Sequence, residues 1–376
     1  MYTYSGMADV AVETHDVDYQ SAVKSIWDNI VHRKYYVTGG VGSGESAEGF
    51  GPNYSLRNNA YCETCSSCGE VFFQWKMHLA YHDAQYADLY EQTFYNALVG
   101  SLALDGKTFY YDNPLDARVN RYPWHSVPCC VGNLPRTVLM LPTWMYSKSA
   151  DGLYVNLFAG SRVHIEGVAG TTVEMVQTTE YPWDGKVAMT VNPAARKAFT
   201  IRVRVPNRDV SSLYAGAPAG GSGGLRSLAV NGRPMTPKIV NGYADITRTW
   251  TKGDRIQFEV PMAPQAIRAS DKIEALRDKV ALRIGPLVYN IEKVDQDITK
   301  AIEPASPLSM EFRQDLLGGV PVIKGKFADG SPLLAVPNLV RMNRNPPAPP
   351  APPPAAGQPR PAPPPPSSVV WINGRT

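Results

Sequence analysis

The hydrophobic period of this chain changes once, near residue 150, and that change limits the fold to helices followed by sheets. Residues 1 to about 150 carry apolar side chains at a spacing near 3.6, as in Tyr19 to Val31. Over Ser66 to Leu102 the same spacing predicts one long helix with Phe72, Trp75, Leu79, Tyr86, Leu89 and Phe94 as a buried stripe. Asn133 to Tyr146 predicts another, after the pair Cys129-Cys130. From about 151 the period is two. Leu153 to Phe158, Thr172 to Val176, Val187 to Val191 and Thr200 to Val205 read as strands, with Ile201, Val203 and Val205 facing in and Arg202 and Arg204 facing out. Turn signals between them, such as Trp183-Asp-Gly185 and Val230-Asn-Gly232, suggest a β-sandwich with a flexible loop at Gly216 to Gly224.

The expected organisation is therefore multidomain, α then β. A helical domain over 1–150 precedes a β-sandwich middle domain over 151–265 and a C-terminal β region over 266–345. A Pro/Ala-rich insertion over 346–367 is expected to be extended or disordered. The tail 368–376 is expected to return as an edge strand through Ser368 to Ile372.

Charge excludes some partners. A net charge of +3 with no run of Lys and Arg argues against nucleic acid or an anionic membrane surface. No apolar run approaches the roughly 20 residues of a spanning helix. Met1-Tyr-Thr-Tyr-Ser-Gly-Met7 has neither a basic start nor an apolar core, so it does not read as a secretory signal. The five cysteines are an odd number clustered in the first third, which favours metal or catalytic use over a disulfide framework.

Glu63-x-Cys65 and Cys129-Cys130 together supply one oxygen and three sulfurs, enough for a four-coordinate Zn2+. Glu48 is a further carboxylate able to move a proton. Vicinal cysteines after Pro128 and before a helix place their thiols near a helix N-terminus, where the dipole favours the thiolate. Cys62, Cys65 and Cys68 also resemble part of an iron–sulfur signature, but the fourth ligand is absent, and Cys62 and Cys68 read as buried small apolar residues. His78 and His82 stand four apart without the glutamate of a zinc-protease motif, and His125 precedes the Cys pair by four residues. Gly39-Gly-Val-Gly-Ser43 lacks the ending of a phosphate-binding loop and is expected to line a cavity.

Several motifs in this order resemble glycoside hydrolase family 127, the β-L-arabinofuranosidases. They are Gly39 to Ser43, Glu48-Gly-Phe50, Tyr61-Cys-Glu-Thr-Cys65, Tyr86 to Glu91, Asn113-Pro-Leu115, Cys129-Cys130 and Tyr181-Pro-Trp-Asp-Gly185. The resemblance implies a partial (α/α)6 barrel over 1–150 followed by β-sandwich domains. It implies one zinc held by Glu63, Cys65, Cys129 and Cys130, with Cys129 as nucleophile and Glu48 as acid/base in a retaining double displacement. Glu45 is the other carboxylate near Glu48. Glu91 and Tyr111 would contact the sugar. The implied substrate is a plant-type oligosaccharide or polysaccharide bearing terminal β-L-arabinofuranosyl groups. The start of the chain resembles the middle of the family barrel, so a shortened, inactive enzyme is one expectation. A related glycosidase acting on another sugar, or a carbohydrate-binding or scaffold protein with a structural zinc, are the alternatives.

Overall fold

The structure is a computed structural model that describes residues 1–44, 48–218, 221, 223–303, 306–344 and 364–374. Glu45, most of the Pro/Ala-rich insertion and part of the 216–224 loop lie outside the described residues.

Six helices come first: α1 (Tyr2–Thr14), α2 (Val17–Arg33), α3 (Thr64–Tyr81), α4 (Ala84–Thr93), α5 (Cys129–Leu139) and α6 (Leu141–Met145). Asp16 caps α2 by accepting from the N–H groups of Asp18 and Tyr19. The helix expected over Ser66–Leu102 is broken. His82 takes a left-handed conformation with φ 51°, and Asp83 then caps α4 by accepting from Gln85 N–H. One π turn (Phe94–Leu98) and one 3-10 turn (Val99–Ser101) extend α4. Within α3 itself the stripe differs from the expected one: Leu79 is exposed and Phe73 and Met77 are fully buried, while Phe72 and Trp75 are only partly buried. The helix expected from Asn133 begins four residues earlier, at Cys129. It is interrupted at Met140, and Tyr146 is already in a strand.

The strands of the described residues form three sheets. A five-stranded sheet runs Lys238–Val240, Tyr243–Trp250, Lys197–Arg204, Gly152–Val155, Tyr146–Ser149. A six-stranded sheet runs Arg233–Pro234, Ser227–Val230, Asp254–Glu259, Lys186–Pro193, Thr171–Thr179, Ser161–Val168. Their inward residues, among them Ile201, Val203, Trp250, Met175, Val191 and Ile256, share one core with Val71, Tyr90 and Leu134 from the helices. The third sheet has eleven strands and recruits Asp116–Ala117 and Tyr214–Ala217 from earlier in the chain. The tail enters this sheet as two short strands, Ser368–Val369 and Ile372–Gly374. Each is paired on both sides, so it is not an edge.

Arg204 was expected to face solvent but is fully buried. It ion-pairs with Asp88 and Glu91 of α4, and Arg208 pairs with Glu91 and with the Tyr181 hydroxyl. The alternation holds at Ile201 and Val203 and fails at Arg204 because α4 covers that end of the strand with two carboxylates. The glycine loop is likewise packed rather than open. Gly39 has φ 81°, and a Cβ there would stand 2.5 Å from Thr93 Cα. At Gly39 the loop is therefore pressed on α4 too closely for any side chain.

Candidate active site and metal centre

Glu63 and Cys65 open α3, and Cys129 and Cys130 open α5. A short bridge sets the first pair: Glu63 pairs with Asp112 across the backbone, and Thr64 N–H donates to Tyr111 O at 2.8 Å. Side chains continue it, with Thr64 Oγ1 donating to Tyr110 O and Asn113 Nδ2 donating to Thr64 Oγ1. α3 and α5 then bring their N-termini together.

One ligand atom from each of Glu63, Cys65, Cys129 and Cys130 lies within 4.8 Å of all the others. Cys65 Sγ is 3.2 Å from Cys130 Sγ, and Cys129 Sγ is 3.9 Å from Cys130 Sγ. Glu63 Oε1 is 3.4 Å from Cys130 Sγ and 3.5 Å from Cys129 Sγ. A tetrahedral zinc has Zn–S bonds of about 2.3 Å and a Zn–O bond of about 2.1 Å, which separates two sulfurs by roughly 3.8 Å and sulfur from oxygen by roughly 3.6 Å. The donor set and spacing fit such an ion. All five cysteines are free thiols.

The protons of this cluster are shared unequally. Cys65 is held below the ordinary thiol range, first by the hydrogen bond from Cys130 and then by Asn133 Nδ2 at 3.0 Å. Cys130 is correspondingly pushed up, by that same bond and by burial. Burial also raises Cys129, whose sulfur stands 3.2 Å from the Tyr111 hydroxyl. Tyr111 is itself raised by burial and by Cys129, so its hydroxyl keeps its proton at neutral pH. Two helix N-termini face the cluster, which favours negative sulfur.

Comparison with known proteins decides the family. Three family models match in succession: the β-L-arabinofuranosidase GH127 catalytic domain over residues 3–143, the GH127 middle domain over 152–262 and the family 127 C-terminal domain over 264–348. The chain belongs to glycoside hydrolase family 127. A curated relative, the non-reducing end β-L-arabinofuranosidase of Bifidobacterium longum subsp. longum, is 29% identical over 346 residues, 86% of this chain and 50% of that protein. A solved family 127 β-arabinofuranosidase superposes with a TM-score of 0.88 at 31% identity, covering 100% of this chain and 59% of that one. A solved family 127 β-L-arabinofuranosidase from Geobacillus stearothermophilus gives 0.84 at 30% identity, covering 99% and 59%. The chain thus spans half the length of the curated relative and about three-fifths of these two structures.

Within this family 127 chain the other expected residues fall as follows. Glu48 is exposed on a turn beside Gly42, and no described hydrogen bond joins it to the thiols. Its charge reaches Tyr61, whose hydroxyl is pushed up by burial, then Glu63, then Glu48. Tyr61 in turn packs edge-on against Tyr111 at 6.3 Å. Glu48 therefore lies on the Tyr61 side of the cluster. Glu91 does not reach a sugar here. It is fully buried and both its oxygens are taken by Arg204 and Arg208, so the expected substrate contact is replaced by a structural one.

His125 stacks on the Tyr111 ring at 4.2 Å. His78 is a core histidine: Ser147 and Asn156 bond to its Nε2, and burial pushes its pKa down to about 4. Cys62 and Cys68 are fully buried outside the cluster, as apolar residues would be. Among the described residues, Asn133 touches the sulfurs and was passed over by motif reading. Its signal was its place four residues after Cys129, on the same face of α5.

Proposed function

We propose that this chain carries the reaction centre of a retaining glycosidase that removes terminal β-L-arabinofuranosyl groups from plant-type glycans. The observation that carries the reading is the convergence of three thiols and one carboxylate on one point, with Cys129 the most exposed of the four groups. Glu63, Cys65, Cys129 and Cys130 would hold a zinc ion. When bound, that zinc supplies a positive charge that keeps the sulfurs deprotonated at neutral pH.

The remaining steps belong to the chain's own side chains. Cys129 Sγ attacks the anomeric carbon and forms a C–S bond as the C–O bond to the leaving group breaks. Glu48 gives its proton to the leaving oxygen. In the second step Glu48 takes a proton from water, whose oxygen displaces the sulfur with a second inversion, so configuration is retained. Tyr111, 3.2 Å from the sulfur, donates to it and fixes its direction.

The same reading assigns residues 1–150 to part of an (α/α)6 barrel, 151–265 to a β-sandwich middle domain and 266–345 to a C-terminal β region. A second reading, a carbohydrate-binding or scaffold protein with a structural zinc, is favoured by the exposed, unanchored position of Glu48. Assay on an aryl β-L-arabinofuranoside with metal analysis separates the two. Turnover lost in both Cys129→Ala and Glu48→Gln, with zinc retained in the latter, supports the hydrolase. A zinc-loaded native chain with no turnover of this substrate supports the scaffold.

A further inference from the structure

His125 stands beside the thiol cluster but takes no part in the steps assigned to Cys129 and Glu48. Its ring stacks on the Tyr111 ring, with centroids 4.2 Å and planes 29° apart. The hydroxyl of that tyrosine is 3.2 Å from Cys129 Sγ. The Tyr122 ring lies 5.6 Å from the imidazole, tilted by 33°. His125 is therefore held in an aromatic group, one member of which touches the reacting sulfur.

One ring nitrogen is committed. Val127 N–H donates to His125 Nδ1 at 3.1 Å. The Val127 carbonyl oxygen is also 3.3 Å from Nδ1, but the direction of a backbone amide hydrogen is fixed, so Nδ1 must offer it a lone pair. That bond assigns the tautomer: in a neutral imidazole the proton then sits on Nε2, which becomes a donor. No described residue accepts from Nε2, and the atom is not sealed, because His125 is half-buried and its Nε2 is open to water. The Asp112 carboxylate is near enough to sense the imidazole charge, without a described hydrogen bond to it. A histidine that only anchored its loop would need Nδ1 alone. A furanosyl group bonded to Cys129 Sγ stands next to Tyr111 and so within reach of the ring stacked on it. Its hydroxyls need partners once they leave water. Glu91, the carboxylate expected to supply one, is taken up by Arg204 and Arg208.

We propose that His125 is a further substrate-binding residue, whose Nε2–H donates to a hydroxyl oxygen of the furanosyl group held at Cys129. The identity of that sugar rests on the glycosidase reading above.

The test has two arms. The first follows the imidazole nitrogens by NMR in zinc-loaded full chain labelled with nitrogen-15 histidine, at pH 8. The chain carries Glu48→Gln, which leaves the glycoside uncleaved, and the His125 signals are assigned by their loss in His125→Gln. They are expected to show the Nε2–H form, and the Nε2 signal should move saturably on titration with methyl β-L-arabinofuranoside. The second arm uses the two amides that mimic one ring nitrogen each: asparagine places its amide near Nδ1, glutamine near Nε2. On an aryl β-L-arabinofuranoside, kcat/KM should fall about tenfold lower in His125→Asn than in His125→Gln, the worth of one hydrogen bond to a hydroxyl, with equal zinc content. A loop anchor predicts the reverse order. An Nδ1–H form, a signal unmoved by millimolar glycoside, or His125→Asn equal to or better than His125→Gln overturns the proposal. A saturable shift in a chain that shows no turnover without the Glu48 substitution keeps the contact and removes the hydrolase reading. Turnover without a shift removes the contact and keeps the reaction.

Discussion

Cys65 Sγ stands 3.2 Å from Cys130 Sγ across 65 residues of chain, and each is the second residue of its helix. Neither helix start has a side-chain cap, and the N-terminal turn of each lies against the cluster of sulfur. The contact makes the N-termini of α3 and α5 one unit.

Removing either sulfur should open that unit. Cys65→Ala or Cys130→Ala is expected to lower zinc affinity by at least about tenfold, since even outer partners of a metal site are worth that much. Plasma emission analysis of dialysed protein measures it. Zinc stoichiometry equal to the native chain in both variants would count against a shared ion. A chelator should lower the melting temperature of the native chain but not that of either variant.

Tyr111→Phe deletes one hydroxyl at Cys129 and nothing from the four proposed ligands. In an active preparation kcat is expected to fall on the order of 100-fold, the loss typical of one donor aimed at a charged reacting atom. Zinc content should be unchanged. An unaltered kcat would show that the 3.2 Å contact does not act on the reacting sulfur.

Arg204 is the centre of the buried charge cluster, so Arg204→Met strands the carboxylates of Asp88 and Glu91. A loss of roughly 3–5 kcal/mol is expected from breaking a buried pair on one side. Urea unfolding against the native chain reads it. Burial already raises Asp88 from 3.8 to about 6 against the pull of Arg204 and Arg208. Without Arg204 it rises further, so the variant should lose stability progressively as pH rises from about 3.8 to beyond 6.

Glu70 predicts a pH dependence of the opposite kind from the usual surface carboxylate. It is fully buried in α3, accepts from Gln74 Nε2 at 2.7 Å and leaves Oε2 without a partner. Burial raises its pKa to about 7 from 4.5, while the Met1 amino group nearby pulls it down. Between those two values the unfolded chain has released the proton and the folded chain has kept it. The unfolded state then binds fewer protons, so stability falls as pH rises from about 4.5 to 7. Glu70→Gln should flatten that slope and be the more stable form at pH 8. Melting curves across pH 5–8 that run parallel in the two proteins would refute it.

Motif reading singled out the cluster of Glu63, Cys65, Cys129 and Cys130, which converges in the fold, because its donors are written as two compact pairs, Glu63-x-Cys65 and Cys129-Cys130, whose residue types have few uses besides metal and nucleophile chemistry. It misjudged Arg204 because a guanidinium in an alternating strand reads as solvent-facing, and only the partner element shows the carboxylates it is buried against. Glu91, which the family resemblance placed at the sugar, is one of those carboxylates. The long helix over Ser66–Leu102 failed at His82-Asp83 because the apolar period continues across the break. The left-handed cap and the aspartate that restarts the helix cost the pattern only two residues.

The order of residues alone determined the change from helix to strand near 150, the strand faces at Ile201 and Val203, and which side chains could bind a metal. These follow from local period and from the chemistry of single groups. Only the packed chain decided that α3 and α5 meet end to end, that the tail strands insert inside the third sheet, and that Glu91 is spent on arginines. Such outcomes depend on contacts between segments far apart in the chain, which no local spacing encodes.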